Sequence, residues 1–82
     1  MICWQRRDGT VIRLDGERMR ELRASAGQSQ SDVADAVGCT AAAVSTWETE
    51  SRCPSLPQIA RLFKVYGSAL AESGALTVSR SA

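Results

Sequence analysis

The residues that perform chemistry in most proteins are sparse in this chain. None of its 82 residues is a histidine and three are cysteines, Cys3, Cys39 and Cys53. Without histidine the commonest general base is missing, and no Ser–His or Cys–His pair can activate a nucleophile. The cysteines are odd in number and contain no Cys-x-x-Cys pair, so a finger-type zinc site has no ligand set. They are read as reduced thiols serving as small apolar side chains. No glycine-rich phosphate loop appears. The expectation is a non-enzyme with no cofactor and no metal, whose chemistry is non-covalent recognition by hydroxyl, amide and guanidinium groups.

Those groups sit on a succession of short elements. Asp8-Gly9 lies between two β-prone runs, Ile2 to Gln5 and Thr10 to Leu14, which is a hairpin signal; a frayed N-terminal arm is the competing reading. From Gly16 the apolar period becomes helical, with Met19, Leu22 and Ala26 on one face and Gly27 as a stop. Ser29 reads as the N-cap of a second helix, with Asp32 three residues on as a capping-box variant. Val33, Ala34 and Val37 give that helix its stripe, and Gly38 ends it. Thr40 caps a third helix, about Ala41 to Thr49, whose apolar positions are Val44 and Trp47. Trp47 lies on that stripe and is read as core. Ser55-Leu56-Pro57-Gln58 starts a fourth helix, which carries Leu56, Ile59, Ala60, Leu62, Phe63 and Tyr66 and stops at Gly67. A fifth short helix, Ser68 to Glu72, stops at Gly74. The tail Ala75 to Ser79 alternates weakly, and is expected to pair with Thr10 to Leu14 within one chain or across a dimer.

This divides the chain into an N-terminal arm or hairpin (1–15), a helical domain (16–74) and a C-terminal tail or strand (75–82). A chain of 82 residues buries only ~60% of the surface its unfolded form exposes, so partner subunits would help it. The apolar fraction of 44% argues against disorder. No apolar run approaches the ~20 residues that span a bilayer, and the first seven residues lack a signal pattern, so the expected location is cytoplasmic.

The second helix, the Gly38 turn and the third helix form the recognisable unit. Two steeply crossing helices need a small residue where they touch, which suits Ala34, and the tight turn needs a residue that tolerates positive φ, which suits Gly38. Taken with Arg20-Glu21-Leu22-Arg23, Gly27-Gln28-Ser29-Gln30, Val33-Ala34, Val37-Gly38, Val44-Ser45-Thr46-Trp47-Glu48 and Pro54-Ser55-Leu56, the stretch Gly16 to Leu70 resembles the phage repressor/Cro helix-turn-helix family. The resemblance implies a mainly α, compact four- to five-helix bundle of the lambda-repressor-like type, to which a β-hairpin or terminal strands can be added. It also implies operator binding as a homodimer.

Carried over by residue, the resemblance places Gln30 on a DNA phosphate. Ala41, Ala42 and Thr46 would face base edges, with Thr40 and Ser45 beside them. Arg52 would approach the backbone, and Arg23 and Glu48 would form a buried ion pair between the first and third helices. The sequence departs from the family pattern at Gln28, where an apolar residue is usual, and at Glu50, where a loop glycine is common. No Lys or Arg lies between Ala24 and Ser51, whereas Asp32, Asp35, Glu48 and Glu50 do, and the net charge is only +1. Phosphate neutralisation must then come from Arg6, Arg7, Arg13, Arg18, Arg20, Arg52, Arg61 and Lys64. The third helix has no Arg, Lys, Asn or Gln for bidentate base contacts, so its specificity is expected to be weak or shape-dependent. The leading expectation is a sequence-specific double-stranded-DNA-binding transcriptional regulator acting as a homodimer. The alternative is a helix-turn-helix module that binds a protein partner, as an antitoxin or regulatory subunit does.

Overall fold

The computed structural model describes residues 1–80; Ser81 and Ala82, the end of the expected tail, lie outside the described residues. The elements in order are β1 (Ile2–Gln5), β2 (Thr10–Leu14), α1 (Gly16–Ser25), α2 (Gln30–Val37), α3 (Ala41–Glu48), α4 (Leu56–Tyr66), α5 (Ala69–Glu72) and β3 (Leu76–Arg80). Five helices and one small antiparallel sheet, ordered β1-β2-β3, make up the described residues.

The hairpin forms where Asp8-Gly9 permits it. Gly9 takes φ 91°, and the Asp8 carboxylate accepts the Thr10 N–H at 2.9 Å. β3 pairs with β2 within the chain, from Thr10 opposite Arg80 to Leu14 opposite Leu76. A lone hairpin is marginal in water, and the third strand supports it. The assigned strand, Leu76–Arg80, lies one residue on from the expected Ala75 to Ser79, although the Ala75 carbonyl still accepts from Asp15 N at 2.9 Å. One face of the sheet joins the core. Ile12, Leu14 and Leu76 are buried there, with Trp4 packed against them.

Each principal helix has the start its sequence provides. Asp15 caps α1. Ser29 and Asp32 exchange both hydrogen bonds of a capping box at α2, and Ser55 and Gln58 do so at α4. The Thr40 hydroxyl accepts the Ala43 N–H at α3. These caps satisfy N–H groups that the first helical turn leaves orphaned. Gly38 ends α2 in the left-handed region, φ 80°. Ala34, Val44 and Trp47 are each at most 2% exposed, so the α2–α3 crossing is closed and Trp47 is core.

Three of the expected stripe positions lie outside the core. Ala26 is exposed because α1 stops at Ser25, and Leu56 and Ala60 of α4 face solvent. α5 begins at Ala69, and its Leu70 is fully buried. The largest difference concerns the cysteines. Cys3 and Cys53 are joined as a disulfide, with Cα atoms 5.3 Å apart, and only Cys39 is free. The hairpin folds β1 back beside the loop that follows α3, which brings together thiols 50 residues apart in sequence.

Candidate nucleic-acid interface

The site begins with the pair that fixes α3 in the fold. Arg23 donates from Nε to Glu48 Oε2 at 2.6 Å and from Nη2 to Oε1 at 3.1 Å, a fork-to-fork geometry. The two side chains are 15% and 4% exposed. The hydrogen bond to Glu48 holds the guanidinium above its ordinary range against the opposing cost of burial. Arg23 Nη1 also donates to the Gln28 carbonyl at 2.9 Å. Gln28, which departs from the family pattern, has its own partner: its Oε1 accepts from the Tyr66 hydroxyl at 2.8 Å. Burial pushes the Tyr66 phenol up, more strongly than the nearby Arg23 charge lowers it.

Gln30 stands at the start of α2, half-buried, and its Nε2 donates to Glu48 Oε1 at 3.2 Å. The residue assigned to a phosphate is therefore tied by one amide proton to the ion pair. One proton and the amide oxygen remain for other partners.

The outward side of α3 is flanked by two grooves. One, of about 380 Å³, runs past Thr40, Ala42 and Thr46 to Arg52 and Gln58. The other, of about 290 Å³, contains Gln30, Ser45 and Thr49 and is bordered by Arg20. The structure thus separates the expected contacts into two sets, Thr40, Ala42, Thr46 and Arg52 on one flank, Gln30 and Ser45 on the other. Ala41 is half-buried and lines neither groove. The Thr46 hydroxyl donates to the Ala43 carbonyl at 2.6 Å, which leaves its lone pairs but not its proton.

From sequence Arg20 is expected only as one of several phosphate-neutralising cations and Gln58 only as a capping residue, neither of them beside α3. A signal for Arg20 existed: it precedes Arg23 by one turn, and residues three apart share a helix face, so a residue paired to the end of α3 places its neighbour there too. The remaining charge is partly committed to structure. Arg61 donates to the Val37 carbonyl at 2.9 Å at the end of α2, Arg18 lies between Asp15 and the Ser73 carbonyl, and Arg6 sits 5.7 Å from the Trp4 ring centroid.

The turn after α3 explains the second departure. Glu50 has φ 59°, a conformation that glycine adopts freely and other residues adopt at a cost. Its carboxylate offsets that cost by accepting the Gly16 N–H at 3.1 Å and facing the Met1 amino group at 3.5 Å.

A bundle with this capped α2–turn–α3 unit defines a class, and the chain belongs to it: residues 16–76 match the helix-turn-helix domain family. Among curated proteins, the chain is 39% identical over 57 residues to the HTH-type transcriptional regulator PuuR of Escherichia coli (strain K12), and equally to that of Shigella flexneri. The aligned stretch is 70% of this chain and 31% of each regulator, so the chain spans about a third of the relatives it matches. No solved structure matches it.

Proposed function

We propose that the chain binds duplex DNA sequence-specifically, with α3 in the major groove, and regulates transcription as a homodimer in the cytoplasm. The observation that carries this reading is the outward side of α3, whose small side chains lie between two grooves, each bordered by an arginine, Arg20 or Arg52. A helix with little charge of its own is thereby supplied with cations from α1 and from the following loop, set to meet phosphates on either side. In this reading Gln30, Arg20, Arg52 and Gln58 face the backbone. Thr40, Ala41, Ala42, Ser45 and Thr46 face bases. The similarity to a transcriptional regulator supports regulation as the outcome. A two-fold arrangement would set two copies of α3 about 34 Å apart, one DNA turn.

The experiment selects bound sequences from a random duplex pool, then titrates parent and variants on selected and random duplexes at two salt concentrations. Arg52→Ala and Arg20→Ala should weaken both duplexes alike and lower the salt slope by roughly one unit each. Thr46→Val should cost about 1 kcal/mol on the selected site and little on random duplex. Sedimentation should show a dimer, free or on DNA. Three variants indistinguishable from the parent would defeat the reading. The protein-partner reading is favoured by one observation, the exposed carboxylates Asp32 and Asp35 on α2. It predicts that the same substitutions leave a slight residual DNA affinity unaltered, and that α3 changes break a protein complex instead.

A further inference from the structure

The Cys3–Cys53 pair takes no part in the interface described above, yet it sits at that interface's border. Cys53 follows Arg52 directly and lines the same groove of about 380 Å³ as Thr46 and Arg52. Cys3 lies on β1, an edge strand whose register shifts between Ile2 and Trp4. β1 and β2 fall outside the stretch that matches the helix-turn-helix family, residues 16–76. The disulfide therefore ties an added strand to the exit loop of the proposed reading helix.

We infer that Cys3–Cys53 is an exchange site for low-molecular-weight thiols, and that opening it frees the Arg52 loop from β1 and weakens DNA binding. The effect on affinity rests on the DNA reading above; the exchange itself does not. Three observations carry the inference. Both cysteines are half-buried rather than sealed in the core, and the groove gives a small thiol an approach to Cys53. The loop's other hydrogen-bonded anchors lie before Cys53, where Ser51 N and Arg52 N donate to the Thr46 carbonyl at 2.8 and 3.3 Å and Glu50 accepts from Gly16, while Pro54 after it is held by burial alone. Among the described residues, the next backbone N–H with a partner is that of Ser55, which bonds within its own capping box. The disulfide is thus the covalent hold on the residue that follows Arg52. In a reducing compartment, a disulfide is more often a redox sensor than a permanent brace.

The step balances as ordinary exchange. A thiolate attacks Cys53 Sγ, forms a mixed disulfide and expels the Cys3 thiolate, which takes a proton from water. A second thiolate attacks the outer sulfur of the mixed disulfide and releases the Cys53 thiolate together with the oxidised thiol dimer. Two thiols are oxidised as one protein disulfide is reduced. Cys39 is a poor competitor, because burial pushes its thiol up and keeps the thiolate scarce.

The test uses the full chain with Cys39→Ser, so that every thiol counted belongs to the pair, in reduced or oxidised glutathione. Alkylation and mass measurement should find no free thiol in the oxidised form and two in the reduced form. Amide exchange should quicken in residues 2–5 and 51–53 while the helical circular dichroism stays intact. The dissociation constant on a selected duplex should rise roughly three- to tenfold on reduction, the scale of ordering a mobile side chain and its loop. Arg52→Ala should bind more weakly and lose the redox dependence. Failure of millimolar glutathione to open the pair, unchanged protection, or loss of helix on reduction each overturns the exchange-and-release step. Equal affinity of two forms that both bind overturns the coupling to DNA. Should neither form bind any duplex, the DNA reading and the coupling built on it both fall, whereas thiol counts and protection still decide the exchange site.

Discussion

Replacing Glu48 tests how α3 is held. Its carboxylate accepts three hydrogen bonds, two from Arg23 and one from Gln30, and its side chain is 4% exposed. Glu48→Gln preserves the shape but removes the charge, and it turns one acceptor into an amide N–H donor that faces the N–H groups of Arg23. Hydrogen bonds to charged groups contribute about 1.5–3 kcal/mol each, and breaking a buried pair by altering one partner costs about 3–5 kcal/mol when burial is deep. Arg23 keeps its bond to the Gln28 carbonyl and some contact with solvent, so the cost is set about 1 kcal/mol below that deep-burial range, at about 2–4 kcal/mol. A domain of this size has roughly 4–12 kcal/mol in total. With about 4–8 °C per kcal/mol, the thermal midpoint should fall by roughly 10–30 °C. Glu48→Ala should cost at least as much. The double variant Arg23→Met/Glu48→Leu leaves no charge unpaired, and should lie close to the parent or above it. Thermal melts followed by far-ultraviolet circular dichroism are sufficient. A Glu48→Gln midpoint within a degree or two of the parent would show that the pair does not hold α1 to α3.

Two further predictions follow from local geometry. A Cβ on Gly16 would overlap the Glu48 carbonyl oxygen and come within 2.8 Å of the Trp47 carbonyl oxygen, both backbone atoms of α3. Gly16→Ala should therefore cost about 1–3 kcal/mol by forcing α1 from α3, and an unchanged midpoint in a urea melt would show that the two helices part freely. The Asp32 carboxyl is held below its ordinary value chiefly by the backbone N–H of Ser29 and also by its hydroxyl. Because its folded value is the lower one, its contribution is present above the unfolded value near 3.8 and is lost as pH falls through the folded value. Acid should accordingly unprotect the first turn of α2 in the parent, and Asp32→Asn should flatten that dependence in amide-exchange profiles; an identical acid response in both would remove the cap from the account.

What was legible in the sequence was local. Ser29 with Asp32 and Ser55 with Gln58 announce helix starts because each cap is completed within four residues. Gly38 announces the turn because its backbone conformation is a property of one residue. The Arg23–Glu48 pair was available only through family resemblance, since a sequence separation of 25 encodes no contact by itself. Other contacts had no such guide. The disulfide, the Arg61 bond to Val37 and the Tyr66 bond to Gln28 join elements 50, 24 and 38 residues apart, and each depends on how the elements cross. The expectation of three reduced thiols came from counting cysteines, and a count carries no distance.

Glu48 also connects stability to recognition. The bond from Gln30 Nε2 fixes which end of that amide faces inward, because a carboxylate accepts and cannot donate. Gln30 is therefore held in one orientation before any partner arrives, which lowers the ordering cost of a contact made through its remaining groups. On the other flank the Thr46 proton is spent on the Ala43 carbonyl, so the hydroxyl offers only lone pairs. Such a group can accept from the exocyclic amine of adenine or cytosine but cannot donate to guanine O6 or thymine O4. Ala42 adds only a methyl surface, which suits a thymine methyl. The face of α3 proposed to read bases is thus narrow in its chemistry, and the orienting work would fall to the phosphate contacts proposed on either side. In the proposed reading those contacts would be set by residues outside α3: Gln30 through Glu48, Arg20 through its helix-mate Arg23, and Arg52 through the loop that Cys53 ties to the sheet.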